Sequence, residues 1–229
     1  MIKLIEIINR YLFLLKDKLI RIRVKQRLKY KINDNPVSQE LDVYWRTDFA
    51  TELDLWGKDD VWIEIKYLLS DKKGKVIDAC CGTGGTINAL KSFQNLDIHG
   101  FDISDFLIKK AIVSGIPKDK LKVLDASNTD YFDGEFDYSY SIGSLEHFTL
   151  KGIDNFIREM KRITKKTSYH QIPIAKDKKF EGWLDLDQSY YNMGENWWRK
   201  HFEKYYDNVL IVDSFWKDPI SNGKWFICY

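Results

Sequence analysis

The sequence predicts a doubly wound α/β fold, in which helices cover both faces of a mainly parallel, seven-stranded sheet. Short apolar segments alternate with segments of helical periodicity over residues 75–229, and this alternation is typical of parallel strands joined by helices. A chain of 229 residues is also long enough for one domain with a sizeable core and an appended segment. We therefore expect a single domain over residues 36–229, preceded by a helical arm over residues 1–35.

Each element of this fold is predicted from its local pattern. Short apolar segments bounded by turn residues predict strands over 75–80, 97–103, 121–124, 136–142, 168–174, 209–215 and 225–229. Apolar residues at helical spacing predict helices over 86–93, 104–114, 153–163 and 197–206. Residues 37–70 are also predicted to be helical, and we interpret residues 36–74 as a cap in front of the sheet.

The composition excludes several classes of protein. With 44% hydrophobic residues, four prolines and 13 glycines, the chain is neither disordered nor of low complexity. Three cysteines, two of them adjacent, cannot form a disulfide framework and favour a reducing compartment. The apolar run Tyr11–Leu15 is far shorter than a membrane span, and no signal-peptide cleavage site follows it. We therefore expect a cytoplasmic protein.

Charge is distributed unevenly along the chain. Residues 1–31 contain ten Lys and Arg against two acidic residues, so they carry a net charge of +8, while the remainder carries −6. Apolar residues recur at helical spacing along this segment, at Leu4, Ile5, Ile8, Tyr11, Leu12, Leu15, Leu19 and Ile22. The arm is therefore predicted to be a basic amphipathic helix. We expect it to pack on its own domain or on a second copy, or alternatively to lie on the inner face of a membrane.

Candidate ligand-binding residues follow the first three strands. In open α/β sheets, ligands bind outside the carboxyl ends of the strands. The first strand runs into the glycine-rich turn Asp78–Gly85, which can bring backbone N–H groups close to a ligand. The second ends at Asp102, which could accept hydrogen bonds from a ribose diol, and the third ends at Asp125, which could accept one from an exocyclic amine. The turn is not the dinucleotide pattern G-x-G-x-x-G, because Ile87 replaces the third glycine.

Four segments, in order and at proper spacing, resemble the motifs of the class I S-adenosylmethionine-dependent methyltransferases, in the small-molecule branch with type 11/25 domains. The matching segments are Val76–Gly84, Gly100–Ser104, Asp125–Ala126, and Phe136–Asp137 followed by Ser141–Gly143 and Leu145–Phe148. The resemblance covers residues 75 to about 175. The chain departs from the family at Ala79, where a glycine is usual, and at residues 165–168, where a Lys-Pro-Gly-Gly turn is frequent.

This resemblance implies a Rossmann-like methyltransferase fold, with S-adenosylmethionine bound by residues 75–175. It implies that Gly82 and Gly84 line the methionine and ribose part and that Asp102 holds the ribose hydroxyls. Asp125, with the backbone of Ala126, would bind the adenine edge. The backbone at the end of the fourth strand would lie near the amino group of the cofactor. The full predicted set is Asp78, Ala79, Cys80, Gly82, Thr83, Gly84, Asp102, Ile103, Asp125, Ala126, Ser141 and Arg46, with Arg46 as a partner for a carboxylate of the cofactor or substrate.

Candidate catalytic residues lie on and after the fourth and fifth strands. Methyl transfer to a hydroxyl requires removal of a proton, and His147 is the first candidate base because histidine titrates near neutral pH. His170 is the second candidate, and either histidine could instead have a structural role. Glu146, His147 and His170 could alternatively share a divalent metal ion. We do not favour this, because their spacing is not that of a tight ligand set.

The segment that follows the fifth strand, residues 176–229, is rich in aromatic residues before its closing strands. Aromatic faces stack on sugars and bases and also enclose cations. We therefore predict that Tyr190, Tyr191 and Trp197 bind substrate. Tyr44 and Trp56 could close over the site from the other side. A hydrophobic lid or a dimer face is an equally good interpretation of these aromatic residues.

The residues and the resemblance together predict an enzyme that methylates a small polar acceptor. We expect an O-methyltransferase acting on a sugar, a sugar nucleotide or a related metabolite, such as one used in surface glycans. A nucleic-acid (RNA) methyltransferase is an alternative that the basic arm favours. The acidic body disfavours it, as does the presence of Ser141–Ser144 where base methylases have an Asp/Asn-Pro-Pro-aromatic motif. A scaffold that binds the cofactor without catalysis is the third interpretation.

Overall fold

A computed structural model describes residues 35–229 and, before them, residues 12, 15, 18–20, 22–26, 28–29 and 31–32. The described residues between Leu12 and Lys29 are α-helical, as the arm pattern predicts. Leu12, Leu15, Leu19 and Ile22 are between 43% and 55% exposed. The other apolar positions of the predicted arm helix, Leu4, Ile5, Ile8 and Tyr11, lie outside the described residues.

The described domain is built from ten strands and six α-helices. The strands are β1 (Lys31–Ile32), β2 (Gly74–Ala79), β3 (Leu96–Asp102), β4 (Leu121–Val123), β5 (Phe136–Ile142), β6 (Thr164–Ala175), β7 (Gly182–Leu184), β8 (Tyr190–Asn192), β9 (Val209–Lys217) and β10 (Ser221–Cys228). The helices are α1 (Thr47–Leu53), α2 (Val61–Leu68), α3 (Gly85–Leu90), α4 (Asp105–Val113), α5 (Leu150–Ile163) and α6 (Glu195–Phe202). Short 3₁₀ helices cover Asp42–Trp45, Lys118–Lys120, Leu145–His147 and Lys178–Phe180.

Seven strands form one sheet in the order β4-β3-β2-β5-β6-β10-β9. Strands β2 to β6 run parallel, whereas β10 is antiparallel to both β6 and β9. This confirms the predicted doubly wound, mainly parallel sheet of seven strands. The chain order reverses at β2, which pairs with β3 on one side and β5 on the other. The carboxyl end of such a switch point is where open α/β sheets bind ligands.

Helices cover both faces of this sheet because successive strand residues point to opposite sides. Ile77 faces a cluster with Phe156 of α5 and Phe202 of α6. Its neighbour Val76 faces a second cluster, which includes Ile65 of α2. Such fully buried side chains contribute about 1.5–3 kcal/mol each, so the alternation fixes the register of β2 and hence the position of the loop that follows it.

A second, three-stranded antiparallel sheet in the order β1-β7-β8 was not predicted. It pairs Ile32 with Trp183 and Trp183 with Tyr191. Its strands have two or three residues each, too few to show an alternating pattern in sequence. Within the described part of the chain, no helix is long and apolar enough to cross a membrane.

Candidate active site

A cavity of about 400 Å³, here called the main cavity, opens at the carboxyl ends of β2, β3, β4 and β5. The four loops that follow these strands all contribute to its lining, as the strand-end argument predicts. Predicted site residues that line it are Tyr44, Trp56, Asp78, Cys80, Gly82, Thr83, Asp102, Ile103, Asp125, Ala126 and His147.

The loop after β2 owes its shape to left-handed backbone conformations. Cys80, Gly82 and Gly84 have φ values of 62°, 55° and 76°. Gly84 is not part of the cavity lining, and it precedes the first residue of α3. A Cβ atom there would lie 2.2 Å from Cδ1 of Ile116, so this glycine allows close packing of the loop.

The position that needs the conformational freedom of glycine is Cys80, not Ala79. Ala79 is the last residue of β2, is fully buried and does not line the cavity. Cys80 is the one described non-glycine residue with a positive φ. Burial, reinforced by the nearby carboxylates of Asp102 and Asp78, holds the pKa of its thiol well above the usual value. The thiol therefore stays protonated, which argues against a nucleophilic role.

Substitutions at these two positions should differ in their effect on stability. A β-branched residue is strongly disfavoured at positive φ, so Cys80→Val should lower the free energy of unfolding by about 1–3 kcal/mol. Cys80→Gly should stay within about 1 kcal/mol of the natural protein, since relief of strain offsets lost packing. Ala79→Gly, in a buried strand, should cost about 1 kcal/mol. Urea unfolding measures all three, and a greater loss in Cys80→Gly than in Cys80→Val would contradict this account.

Asp102 is held in place by the backbone around it. Its Oδ2 accepts a hydrogen bond from Gly82 N at 2.9 Å, and its Oδ1 accepts one from Ser104 N at 2.9 Å. Burial raises its pKa to about 6, against the lowering effect of these hydrogen bonds. A carboxylate has about four acceptor sites, so each oxygen can accept one more hydrogen bond from the cavity. This geometry suits a vicinal diol.

Two further acids border the main cavity in different ways. Asp78 is buried, accepts a hydrogen bond from Tyr140 Oη at 3.0 Å, and has a pKa well above its usual value because of burial. Asp125 is exposed at the rim, where its Oδ1 accepts hydrogen bonds from Ser127 N and Oγ, both at 2.8 Å. Ala126, beside it, is buried and offers its backbone to the cavity.

His147 lies at the boundary between the main cavity and a second one. Its Nδ1 donates a hydrogen bond to the carbonyl oxygen of Ser189 at 2.7 Å. Because a carbonyl oxygen only accepts, the ring proton resides on Nδ1 and the lone pair on Nε2. Burial lowers the pKa of His147 to about 4, despite the opposing effect of the Ser189 and Gly143 carbonyls. At neutral pH this histidine is uncharged and able to accept a proton.

The second cavity, here called the side cavity, has a volume of about 310 Å³ and shares part of its lining with the main cavity. The shared residues are Phe49, Trp56, Gly143, His147 and Gln188. Glu146 lines the side cavity, with its Oε1 at 3.8 Å from His147 Nε2. Burial raises the pKa of Glu146 to about 8. An uncharged acid and an uncharged base therefore lie next to each other at neutral pH.

Some predicted site residues are not brought to either cavity. His170 is fully buried, with its ring 5.1 Å from that of Phe202, and its Nδ1 shares a 2.8 Å hydrogen bond with Ser141 Oγ. Because strand residues alternate, Gln171 faces the side cavity and His170 faces the helices on the opposite side. His170 is thus not placed to act as a base, and burial lowers its pKa to about 3. Ser141 is likewise buried behind the cavity wall.

The metal set proposed from the sequence is not assembled either, because His170 points away from Glu146 and His147. Among the described residues, no group of three or more His, Cys, Asp or Glu side chains has the arrangement of a metal site. Arg46, a predicted partner for a ligand carboxylate, is instead paired with Asp48 at 2.5 Å and Asp187 at 2.6 Å.

The predicted aromatic residues divide between cavity and core. Tyr190 lines the side cavity, with its ring 6.1 Å from that of His147. Tyr191 packs against Trp183 and Trp197, at 4.8 and 5.4 Å between ring centroids. Tyr191 and Trp183 belong to the buried core cluster, and the partly buried Trp197 packs against it. Tyr191 and Trp197 therefore hold the segment in place and do not reach the cavities.

Sequence reasoning missed several residues of the side cavity. Phe49 and Trp216 come from α1 and β9, which are distant in the chain. Gln171 did have a local indication, because it lies at the end of the fifth predicted strand and strand ends border ligand sites. The sequence around Trp216 gave no such indication, because the position of Trp216 depends on how β9 pairs with β10.

Comparison with known families and proteins agrees with this geometry. Residues 76–167 match the family model of the methyltransferase domain. Ajmaline N-methyltransferase of Rauvolfia serpentina is 34% identical over 97 residues, which are 40% of this chain. The match spans 33% of the length of that plant enzyme.

Solved structures of methyltransferases share the fold. That of Burkholderia thailandensis 1,6-didemethyltoxoflavin-N1-methyltransferase, with bound 1,6-didemethyltoxoflavin and S-adenosylhomocysteine, has a TM-score of 0.65 at 13% identity. The similarity covers 86% of this chain and 92% of that one. Phosphoethanolamine N-methyltransferase 2 of Haemonchus contortus, in complex with phosphomonomethylethanolamine and S-adenosylhomocysteine, has a TM-score of 0.62 at 15% identity, covering 82% of this chain and 59% of that one.

Proposed function

We propose that the protein is an S-adenosylmethionine-dependent methyltransferase that transfers a methyl group to a small-molecule acceptor. The match of residues 76–167 to the methyltransferase domain and the fold shared with solved methyltransferases support this proposal. One observation carries the proposal. A cavity with the features of a nucleoside site adjoins a second, smaller cavity, and His147 lies at their boundary. An enzyme that transfers a group between two small molecules needs adjoining sites for the donor and the acceptor.

We propose that the main cavity binds the cofactor. The remaining acceptor sites of Asp102 suit the two ribose hydroxyls, and the open backbone at Gly82 admits the chain of the methionine part. Asp125 and the backbone of Ala126 lie at the rim, where they can meet the adenine edge. The cavity volume of about 400 Å³ is in the range of small-molecule sites. The residues present thus fit S-adenosylmethionine.

When bound, the cofactor would supply an electrophilic methyl group, which the acceptor atom would attack in line as the cofactor sulfur leaves. The protein has to hold that atom against the methyl group, exclude water and accept a proton. Nε2 of His147 can accept the proton, because its tautomer is fixed by Ser189. A hydroxyl group of a sugar or sugar nucleotide is one acceptor that this arrangement would serve. We also propose that residues 36–74 form a cap, residues 75–175 the cofactor-binding core and residues 176–229 the substrate-side segment. A cytoplasmic location is a further proposal.

Titration calorimetry with S-adenosylmethionine and S-adenosylhomocysteine tests the proposal. We expect saturable binding at one site per chain and methyl transfer when acceptors are screened by mass spectrometry. Saturable binding without transfer to any acceptor would favour a cofactor-binding scaffold. Absence of binding would refute both the cofactor assignment and the proposed activity.

His147→Ala should slow methyl transfer by about 100-fold or more, the usual contribution of a positioned general base. The affinity for S-adenosylhomocysteine should change little, because Asp102 and the loop after β2 are untouched. His201→Ala is a matched control, since His201 is hydrogen-bonded to Asp154 and lines neither cavity. Steady-state rates, measured with the acceptor found by screening, test whether His147 is the base. Equal rates for His147→Ala and the natural protein would remove His147 as the base.

A further inference from the structure

The side cavity is bordered by buried polar atoms that have no hydrogen-bond partner among the residues that the structure describes. These atoms are Oε2 of Glu146 and both side-chain amide atoms of Gln171. The two side chains are almost completely buried, at 4% and 1% exposure. Each unpartnered buried polar group costs about 1–3 kcal/mol, so native proteins rarely leave three in one place without a role. A bound molecule that donates to Glu146 and pairs with the amide of Gln171 would satisfy them.

The charge and shape of the side cavity indicate which kind of molecule it can bind. Four acidic residues line it, Glu52, Glu146, Asp187 and Asp218, and none of the lining residues in the described part of the chain is Lys or Arg. Arg46 lies outside this lining and pairs with Asp187 and Asp48. Aromatic walls come from Phe49, Trp56, Tyr190 and Trp216. Aromatic faces and carboxylates together are the surroundings in which proteins bind organic cations.

We propose that the methyl acceptor is an amine, bound in the side cavity as an ammonium ion on Glu146 and Gln171. This inference rests on the proposed methyltransferase function and replaces the sugar hydroxyl expected from the sequence by a nitrogen nucleophile. The ammonium group would donate to Oε2 of Glu146 and Oε1 of Gln171, which are the unpartnered acceptors. The apolar part of the amine would lie against the rings of Trp56 and Tyr190.

The reaction balances with these groups and solvent. When the ammonium ion binds, Glu146 loses its own proton to solvent, and the resulting carboxylate takes one proton from the ammonium ion, which leaves a neutral amine with a free lone pair. The nitrogen then attacks the methyl carbon, so that the N–C bond forms while the C–S⁺ bond breaks and sulfur becomes a neutral thioether. The product is an N-methylammonium ion. The raised pKa of Glu146, about 8, suits it to take a proton from an amine, and His147, 3.8 Å away, can share that proton.

Matched pairs of probes test this inference. Six arylalkyl amines, such as 2-phenylethylamine, are titrated by calorimetry into protein saturated with S-adenosylhomocysteine, and each is compared with its alcohol, such as 2-phenylethanol. At least one amine should bind at pH 7 at least tenfold more tightly than its alcohol. Before binding, the amine and Glu146 each hold a proton at pH 7, whereas in the complex the two groups share one proton. Binding should therefore release close to one proton, which calorimetry detects as an enthalpy that depends on the buffer.

The variant Glu146→Gln keeps the shape of the side chain and removes its charge. It should bind S-adenosylhomocysteine normally, lose at least tenfold in amine affinity and release no proton. Glu203→Gln, at an exposed carboxylate that lines neither cavity, is the control and should change amine affinity less than threefold. The inference is overturned if every amine fails to bind, if the alcohols bind as tightly, or if Glu146→Gln binds the amine unchanged. Failure of S-adenosylhomocysteine itself to bind would instead refute the proposed function.

Discussion

Asp102→Ala is expected to weaken binding of S-adenosylhomocysteine by about 100-fold to 20,000-fold, because two hydrogen bonds from the ribose to a carboxylate are worth about 1.5–3 kcal/mol each. The substitution also leaves the N–H groups of Gly82 and Ser104 without their acceptor. We therefore expect a lower melting temperature as a separate effect. Calorimetry measures the affinity, and thermal unfolding of the ligand-free protein measures the loss of stability.

A control on the same strand separates the two effects. Asp97→Ala removes a carboxylate at the other end of β3, where Asp97 pairs with Lys120 at 2.6 Å and lies outside both cavities. This variant should bind the cofactor product with unchanged affinity. A folded Asp102→Ala protein that binds S-adenosylhomocysteine as tightly as the natural protein would show that Asp102 does not hold the ribose.

Glu146→Gln is expected to make the ligand-free protein more stable, and increasingly so as the pH rises. Burial raises the pKa of Glu146 from 4.5 to about 8, so the folded protein binds this proton more tightly than the unfolded chain does. The stability that the protonated acid contributes is complete below about pH 4.5 and is lost as the pH rises to about 8. The difference between natural protein and variant should grow by roughly 1.4 kcal/mol for each pH unit in this window.

The surroundings of Glu146 are the same in both proteins. Its titratable neighbours are His147 and Cys80, and the other titratable groups that line the same cavity are Tyr190, Glu52, Asp187 and Asp218. Their own titrations therefore cancel in the comparison to a first approximation. Urea unfolding of both proteins from pH 5 to pH 8 measures the difference, and a difference that does not change with pH would contradict the assignment.

Glu159, a buried acid whose pKa is lowered and not raised in the folded protein, provides the control. Burial raises the pKa of Glu159, but hydrogen bonds from Arg162 and Thr129 outweigh this and leave it lowered overall. Its contribution to stability is present at neutral pH and is lost as the pH falls through the lowered pKa. Glu159→Gln should therefore be less stable than the natural protein at pH 7, the reverse of Glu146→Gln.

The sequence by itself determined the sheet and the strand-end residues that line the main cavity. Alternating strands and helices, and the glycine turn after Val76–Ala79, are local patterns, so β2 to β6 were predicted within a few residues of their observed bounds. The acids that end β3 and β4, Asp102 and Asp125, lie on the main cavity because parallel strands present their carboxyl ends at one edge. This relation follows from topology alone and requires no knowledge of side-chain packing.

Only the tertiary structure decided which residues face the side cavity. Ile142 pairs with Gln171, and this register, together with the helices that cover each face, turns Gln171 toward the side cavity and His170 into the core. A shift of one residue would exchange the two side chains. Trp216 reaches the same cavity from β9. Register and strand order are set by contacts between distant parts of the chain, so no local pattern in the sequence could place these side chains.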